Sequence, residues 1–352
     1  MASIAADQDC CDDVCAVVVT YNPDPDSMRA LWPAWLAQVG RVIVVDNASG
    51  EDVGLWLPAG GADRIELLRN DQNQGIAAAQ NKGAARAMAW GACRFVLFAD
   101  QDSLPAPQMV RRLRDALLQA DRPPAGRQPA PVAAAGPHSV DQRTGEASML
   151  IVDRWGWPAR WLPPQRPPGA LPDAVRSYDV SFLIASGCLV PVPVLRALKG
   201  MRSNYFIDHV DTEWCLRARA AGYRLLGVPE ARLRHRLGDS VRRLPLAGGR
   251  KVFYHAPLRD YYMFRNTLLM LRDVRMSIAW RLHFVIRLLQ FAGYFLTLGD
   301  RRRERLAHMW LGIRHGLQRV SGRLVAGTRR CDPVGATELD PADTPAPLIG
   351  SG

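Results

Sequence analysis

The sequence predicts an α/β fold, built on a parallel sheet and followed by a basic helical region. Through the first 140 residues, strand-like apolar runs alternate with helical patterns, which is typical of parallel strands joined by crossover helices. Hydrophobic residues make up 48% of the 352 residues, enough for a packed core. The net charge is +11, and residues 232–330 hold 22 Arg or Lys against 5 Asp or Glu. This asymmetry favours an anionic partner for the C-terminal third.

The predicted elements follow one another in the order expected of such a fold. Four strands and three crossover helices come first, with the strands at 16–22, 41–47, 64–70 and 94–100 and the helices at 26–38, 75–90 and 106–120. Further strands are predicted at 132–137 and 180–191, and further helices at 193–199, 210–222 and within the basic stretch 252–320. The Pro-rich stretches 121–131 and 155–169 are predicted as irregular connectors.

The sequence contains no clear membrane span or export signal. The nearest candidate, LLQFAGYFLTL at 288–298, is too short to cross a bilayer. The acidic N-terminus lacks a basic stretch followed by an apolar one, so we expect a cytoplasmic protein. The seven cysteines form no CxxC pair, which argues for reduced thiols and against a zinc cluster. No nucleic-acid motif accompanies the basic charge, so we expect no nucleic-acid partner.

Polar side chains follow three of the predicted parallel strands. They are Thr20, Tyr21 and Asn22 after the first, Asp46 and Asn47 after the second, and Asp100, Gln101 and Asp102 after the fourth. The carboxyl ends of parallel strands meet at one edge of a sheet, where ligands of open sheets bind. We therefore expect a ligand site at this edge. Turn formation is the alternative explanation, since Asp and Asn often begin turns.

Two acidic groups are candidates for chemistry. Asp100 and Asp102 repel each other unless a cation lies between them, and their oxygens suit Mg²⁺ or Mn²⁺. Such an ion would also neutralise the charge of a departing diphosphate. Asp211 and Glu213 begin the predicted helix 210–222, where N-capping and compensation of the helix dipole form the alternative explanation.

An ordered set of motifs resembles the GT-A glycosyltransferases of family 2, most closely the bacterial rhamnosyltransferases. The motifs are VVTYNPD, VIVVDNAS, NQGIAAAQNKG, FADQDS, SGCLVP and FIDHVDTEWCLRARAAGYRL, followed by RHRLGDS. The resemblance covers residues 15–320. It implies the GT-A fold, a Rossmann-like mixed sheet that binds nucleotide-diphospho-sugars, and an inverting transferase. It also implies dTDP-L-rhamnose as the nucleotide-sugar donor and Mg²⁺ or Mn²⁺ as the cofactor.

The resemblance also assigns roles to individual residues. Asp211 matches the family's catalytic base, with Asp208 as a competitor, and Glu213 and Trp214 fall on the acceptor side together with the segment Ser186–Cys188. The implied metal ligands are Asp100, Asp102 and His235. Residues implied to bind the nucleotide are Thr20, Tyr21, Asn22, Asp46, Asn47, Asn73, Gly75, Asn81, Gly83 and Asp100. For Gly83, close packing of its helix on the sheet is an equal alternative.

The expected organisation has four parts. They are an N-terminal tail at 1–14, a GT-A catalytic domain at 15–250, a basic helical region at 251–325 and a disordered tail at 326–352. The basic helices either lie on an anionic bilayer, at the cytosolic face of the inner membrane, or only pack on the catalytic domain.

The sequence thus predicts an inverting glycosyltransferase that adds L-rhamnose to a glycan or a polyprenyl-diphosphate-linked acceptor in cell-surface polysaccharide synthesis, such as that of O-antigen. A family 2 transferase that uses another nucleotide-sugar, for instance of galactofuranose or glucose, is the alternative. A non-catalytic, membrane-bound module that binds sugar-nucleotides is a second one. A nucleotidyltransferase would need a basic Gly-rich loop after the first strand, where TYNPDPDS is acidic.

Overall fold

A nine-stranded mixed sheet forms the centre of the protein. The computed structural model describes residues 10–121, 130–164, 175–235, 240–244, 250–325, 327–332 and 334. The strands of these residues are β1 (Cys11–Thr20), β2 (Val39–Asp46), β3 (Ile65–Arg69), β4 (Phe95–Asp100), β5 (Leu104–Pro105), β6 (Val132–Asp141), β7 (Leu150–Arg154), β8 (Trp157–Trp161), β9 (Tyr178–Val180), β10 (Leu189–Pro191), β11 (Arg224–His235), β12 (Ser240–Leu244), β13 (Arg250–Tyr254), β14 (Arg323–Leu324) and β15 (Cys331–Asp332). The central sheet has the order β3-β2-β1-β4-β10-β6-β11-β5, and β9 also pairs with β11.

Helices cover both faces of this sheet. Those of the described residues are α1 (Pro25–Leu36), α2 (Ile76–Ala89), α3 (Met109–Ala120), α4 (Val192–Ala197), α5 (Val210–Ala220), α6 (Pro257–Asp273), α7 (Ile278–Thr297) and α8 (Arg302–Leu317). On one face, α1 and α3 pack against alternate side chains of β1, β2 and β4. On the other face, α2, α4 and α5 pack against the remaining ones. Both faces of the parallel strands are therefore buried, which explains their continuous apolar runs.

The sheet is parallel where the sequence predicts it and antiparallel beyond β4. β1, β2, β3 and β4 run parallel, and β10 pairs antiparallel with both β4 and β6. The long strand β11 then pairs parallel with β6 and ends at His235. Because β4 and β11 end on the same side of the sheet, their last residues come together although 135 positions separate Asp100 from His235.

Three segments differ from the sequence expectations. β1 begins at Cys11, inside the predicted N-terminal tail, because Cys11 pairs with Val39 of β2. β8 lies within the stretch 155–169 that was predicted to be irregular and forms an antiparallel hairpin with β7, in which Trp157 and Trp161 pair with Arg154 and Leu150. β14 and β15 pair across the boundary of the predicted disordered tail. The tail residues 1–9 and 335–352 lie outside the described residues.

The C-terminal helices share a core with the sheet domain. Leu269 and Met270 of α6, and Trp280 and Phe284 of α7, belong to the same buried cluster as Trp214 of α5. α6 and α8 are joined by a buried ion pair between Asp260 and Arg305, with 2.9 Å between Oδ2 and Nη1. The basic helices therefore pack on the catalytic domain with one face. Among the described residues, no helix is long and apolar enough to span a membrane.

Candidate active site

The strand ends bring the first polar group to one edge of the sheet, as the sequence predicts. Thr20 lies opposite Asp46 in the register of β1 with β2, and Asp100 lies opposite Val19 in that of β1 with β4. The Thr20 hydroxyl donates to Asp46 Oδ1 at 2.9 Å, and both side chains are buried. Ser49 donates to the same carboxylate with its hydroxyl and its backbone N–H. Asp46 is therefore held rigidly at the edge.

The neighbouring loops are tied together by amide side chains. Asn47 donates to Asn73 Oδ1 at 3.0 Å and accepts from the Asn70 amide and the Gln74 backbone N–H. Asn22 accepts from the Gly50 backbone N–H and donates its own to the Ser49 hydroxyl. Asn47 is buried, so its first role is to hold these loops. Tyr21, by contrast, is exposed at the edge, where its ring is available to a ligand.

Asp100, Asp102 and His235 form a group that can hold a metal ion. One ligand atom from each lies within 4.8 Å of the others. His235 Nδ1 is 3.2 Å from Asp102 Oδ1, and its Nε2 is 3.9 Å from Asp100 Oδ2. Two carboxylates and an imidazole suit a divalent cation such as Mg²⁺ or Mn²⁺. The donor set therefore fits the cofactor that the sequence predicts.

The charges in this group are strongly coupled. Burial raises the pKa of Asp100, and the nearby Asp102 carboxylate raises it further. Burial lowers the pKa of His235, but its hydrogen bond with Asp102 and the charges of Asp100, Asp102 and Asp141 outweigh this and raise the pKa. A positive charge beside these two carboxylates is therefore favoured, and a divalent cation would supply it.

Asp211 lies at the first turn of α5 without a basic partner among the described residues. Its Oδ1 accepts from the Thr212 backbone N–H at 2.7 Å. Burial raises the pKa of Asp211 to about 6, against the lowering effect of backbone N–H groups of Thr212 and Ala185. The charge of Asp100 also raises it, which places Asp211 within electrostatic range of the metal group. A carboxylate of this pKa is suited to accept a proton near neutral pH.

The segment before α5 has a strained backbone. Phe206, Asp208 and His209 all have positive φ angles, of 66°, 63° and 60°. Phe206 forms a tight three-residue turn in which the Ile207 N–H donates to the Tyr205 carbonyl at 2.8 Å. Asn266 of α6 stabilises this turn by donating to the carbonyls of Tyr205, Ile207 and Asp208. Strain of this kind is typical of functional sites that the surrounding fold over-determines.

Asp208, the competitor for the base, is occupied elsewhere. Both of its carboxylate oxygens accept from the Arg259 guanidinium, at 2.5 and 3.1 Å. Such a bidentate pair fixes the direction of the carboxylate. Asp208 is therefore a structural residue that links the strained segment to α6.

Two acceptor-side predictions are corrected by burial. Glu213 is fully buried, and its carboxylate pairs with Arg217 Nε at 2.8 Å and Arg202 Nε at 2.9 Å. Trp214 is 2% exposed and belongs to the core cluster between α5 and the sheet. Neither side chain can reach an acceptor. On helix α5, Glu213 and Trp214 therefore point toward the core, whereas Asp211 points toward the site.

The small-residue helix α2 also departs from its predicted role. Asn81 bridges to the chain at Met201, donating to its carbonyl at 2.7 Å and accepting from its N–H at 2.8 Å. A Cβ on Gly83 would lie 2.3 Å from Val17 Cγ1, so Gly83 permits close packing on β1. The predictions for these two residues are therefore corrected in favour of packing.

Gly75 and Asn73 lie next to the site, and their region connects the start of α2 to neighbouring parts of the protein. Gly75 has φ +83°, and a Cβ there would lie 2.4 Å from the Phe206 carbonyl oxygen. The Ile76 N–H donates to this same carbonyl at 2.8 Å, and the Gly75 N–H donates to Asn73 Oδ1. The Gly75 and Ile76 N–H groups at the start of α2 are thus bonded within the protein.

The turn Ser186–Cys188 supports the carboxylates from below. Gly187 has φ +80°, and its N–H donates to the Phe98 carbonyl at 2.7 Å. The Ser186 hydroxyl accepts from the Asp100 N–H at 3.4 Å and contacts the Ser103 hydroxyl. Cys188 is buried in the core. The turn therefore positions the metal group, and its closeness to an acceptor stays a prediction.

The structure gives roles to three residues that the sequence interpretation left without one. Gln101 bonds both backbone groups of Tyr21, with its Oε1 accepting at 2.7 Å and its Nε2 donating at 3.3 Å. Gln142 donates to the carbonyls of Asp102 and Arg234 and so joins β4 to β11. The positive charge of Arg259 lowers the pKa of Asp100. Only Gln101 had a sequence signal, its place between the two aspartates.

Similarity to known proteins agrees with this geometry. Residues 15–123 match the family model for glycosyl transferase family 2. The dTDP-rhamnosyl transferase RfbF of Shigella flexneri is 26% identical over 311 residues, which cover 88% of this chain and 97% of that protein. The chain therefore contains a family 2 glycosyltransferase domain. The succinoglycan biosynthesis protein ExoO of Rhizobium meliloti (strain 1021) is 33% identical over 104 residues, 29% of this chain and 28% of that protein.

Solved structures confirm the GT-A fold of this glycosyltransferase. S. aureus TarS 1-349 in complex with UDP-GlcNAc matches with a TM-score of 0.54 at 13% identity, over 88% of this chain and 81% of that one. The same protein in complex with UDP matches with a TM-score of 0.50 at 11% identity, over 90% and 95%. At these identities the likeness concerns the fold alone. The predicted resemblance to family 2 glycosyltransferases, the GT-A fold and the classification as a glycosyltransferase are therefore confirmed.

Proposed function

We propose that this glycosyltransferase transfers L-rhamnose from dTDP-L-rhamnose to a hydroxyl of a glycan or lipid-linked acceptor, with inversion at the anomeric carbon. The donor is supported by the similarity to the dTDP-rhamnosyl transferase RfbF, which extends over 97% of that protein. The proposal includes a cytoplasmic, peripheral location and a role in cell-surface polysaccharide synthesis.

The observation that carries the mechanism is the isolation of Asp211. Of the three carboxylates between residues 208 and 213, it alone has no guanidinium partner among the described residues. The charge of Asp100, in the metal group, also raises the pKa of Asp211. The base of a displacement needs access to a hydroxyl and a pKa near or below the working pH, and Asp211 meets the second condition with a pKa of about 6.

The reaction then follows from where the groups lie. Asp211 accepts the proton of the acceptor hydroxyl as its oxygen forms a bond to the anomeric carbon. The bond from that carbon to the diphosphate oxygen breaks on the opposite face, so the configuration inverts. Asp100, Asp102 and His235 would hold a divalent cation, which supplies positive charge to the departing diphosphate. Tyr21, Asp46 and the Asn47–Asn73 loop would bind the nucleoside.

Thermal unfolding with a panel of ligands tests the donor. A specific ligand stabilises the folded state by mass action, so dTDP-L-rhamnose with Mg²⁺ or Mn²⁺ is expected to raise Tm most. UDP-GlcNAc, UDP-galactofuranose and dTDP-glucose serve as comparisons, and excess EDTA should remove most of the shift. A larger shift with another nucleotide-sugar would reassign the donor. No shift with any of them would contradict a sugar-nucleotide site.

A further inference from the structure

Helix α7 exposes an apolar stripe along its whole length. Its inward side buries Trp280, Phe284 and Phe295 in the core. Its outward side carries exposed aliphatic residues at helical spacing, namely Ile278, Leu282, Val285, Ile286, Leu289 and Leu296. At 1.5 Å per residue, the stripe from the first to the last of these is about 27 Å long. A surface helix normally turns polar residues outward, so this face lacks an apolar partner within the described structure.

The apolar area continues onto two neighbouring elements. On α8, Leu306, Trp310 and Leu317 recur at helical spacing, and Trp310 is 69% exposed. At the other end, the turn of the β7–β8 hairpin presents Trp155, which is 93% exposed. The Ser277 hydroxyl, which caps α7, donates to the Gly156 carbonyl in this turn at 3.4 Å. We define these exposed residues of α7, α8 and the hairpin turn as the α7–α8 surface.

Exposed apolar residues are concentrated on this surface. Of the 17 large hydrophobic residues that are exposed in the described parts of the chain, 11 lie in the hairpin turn, in α7, in α8 or at Leu298 between the helices. Contiguous patches of this kind mark interaction sites on proteins. The C-terminal residues 335–352 offer only Leu339, Leu348 and Ile349 as large apolar side chains, too few to cover it.

The charge around the α7–α8 surface is positive. Arg281, Arg303 and Arg314 are exposed on the two helices, and the acidic residues there are Asp300, paired with Arg305, and Glu304, paired with Arg301. Arg287 is exposed on α7 and lies close enough to Arg160 of β8 for the two positive charges to repel each other. Neither Arg160 nor Arg287 has a carboxylate partner among the described residues. An anion beside these two arginines would relieve their repulsion.

We propose that the α7–α8 surface docks on an anionic lipid bilayer, with its aliphatic and tryptophan side chains in the interfacial region and its arginines at the headgroups. A bilayer interface accepts both halves of this pattern, since apolar burial and attraction to anionic lipids add. A second copy of the chain accepts only the apolar half, because the positive rims of two such surfaces would repel each other.

The α7–α8 surface lies on a helix that also contacts the start of α5, next to the candidate active site. On the inward side of α7, the Phe284 ring meets the His209 ring at 6.0 Å between centroids. His209 caps α5 two residues before Asp211. The helix that carries the docking surface therefore packs, through its inward side, against the residue that caps the helix of the candidate base. A lipid-linked acceptor could reach the base without leaving the bilayer, a step that rests on the proposed function.

Vesicle binding of the full chain tests the docking without any donor or acceptor, so its outcome is separate from that of the proposed chemistry. Co-sedimentation is measured with phosphatidylcholine vesicles that contain or lack phosphatidylglycerol. The wild type should bind the anionic vesicles more tightly, and added salt should weaken this binding. The double variant Ile278→Glu with Leu289→Glu should bind roughly tenfold more weakly or worse, because it removes two inserted side chains and adds two negative charges.

Matched controls separate docking from general effects. Leu55→Glu adds the same charge at a residue as exposed as Ile278, 77%, but on the short helix Val53–Trp56, away from the α7–α8 surface, and should bind like the wild type. Arg303→Gln with Arg314→Gln should weaken binding to anionic vesicles, while Arg196→Gln on α4 should not. Unchanged Tm values would show that all variants fold.

Two results would overturn the proposal. One is equal vesicle binding by the wild type and the Ile278→Glu, Leu289→Glu variant, or absence of wild-type binding to anionic vesicles. The other is a wild-type dimer, seen by sedimentation velocity, that the double variant dissociates while vesicles leave the wild type unbound. The second result would assign the surface to another copy of the chain.

Discussion

Two acidic regions of this protein look alike in sequence but differ in how their charges are balanced. At the sheet edge, Asp100 and Asp102 lie beside His235, and no guanidinium in the part of the chain that the structure describes is bonded to either carboxylate. At the start of α5, Asp208 and Glu213 each pair with arginines, whereas Asp211 has no guanidinium partner among the described residues. The partner of a carboxylate, and not its place in a motif, therefore decides what it can do.

The two regions have opposite electrostatic needs. At the sheet edge, burial raises the pKa of Asp100 and the neighbouring Asp102 carboxylate raises it further, so this edge favours a cation. In the α5 region, arginines pair with the two carboxylates that flank Asp211, and Asp211 itself lies in a desolvated position. The first arrangement suits charge neutralisation, and the second suits proton transfer at a pKa of about 6.

Replacing Asp211 should have the largest effect on activity. In Asp211→Asn the side chain keeps its size but cannot accept the proton, so kcat should fall by roughly 10³-fold. The Kd for the nucleotide-sugar with Mg²⁺ or Mn²⁺, measured by calorimetry, should stay within about threefold of the wild-type value, because the metal group is untouched. Full activity in this variant would remove Asp211 from the mechanism.

Asp102→Asn is the matched control for that variant, with the same chemical change in the other acidic region. It removes a proposed metal ligand, so metal-dependent donor binding should weaken by roughly 10- to 100-fold. Equal loss of donor binding in both variants would mean that metal binding and proton transfer are not assigned to separate regions.

Replacing Glu213 should affect stability rather than chemistry. In Glu213→Gln the buried guanidinium groups of Arg202 and Arg217 lose their counter-charge, which should lower the free energy of unfolding by about 3 kcal/mol in a urea titration. Glu66→Gln is the matched control, because Glu66 also pairs with two arginines but is partly exposed, and should cost about 1 kcal/mol or less. A larger loss of kcat than of stability in Glu213→Gln would return this residue to the active site.

The pH dependence should give the smallest effect within the working range. As the proposed base, Asp211 would act in its deprotonated form, and its pKa is about 6, so kcat/KM should be constant above that pH. Below it, kcat/KM should fall about tenfold for each unit of pH, as the base becomes protonated. A stopped assay across this range measures the profile. A profile that stays flat well below pH 6 would assign the base to a group of lower pKa.

Several features could be predicted from the sequence because they depend on local patterns. Apolar runs that end in polar residues predicted the parallel strands β1, β2 and β4 and the edge where they meet. The order of motifs led to the family and the fold, which similarity to known proteins confirms. The β7–β8 hairpin was missed, since its Pro content hides a strand whose pairing partner supplies the register.

By itself, the sequence determined the fold class, the shared edge of the strand ends and the family, because hydrophobic periodicity and strand polarity act over a few residues. The tertiary structure alone decided which acidic residues are paired, since Arg259 and Arg202 reach Asp208 and Glu213 from distant elements. It alone placed His235 beside Asp102 and turned an apolar face of α7 outward. Coulomb attraction and burial depend on distances through space, and chain spacing does not encode those distances.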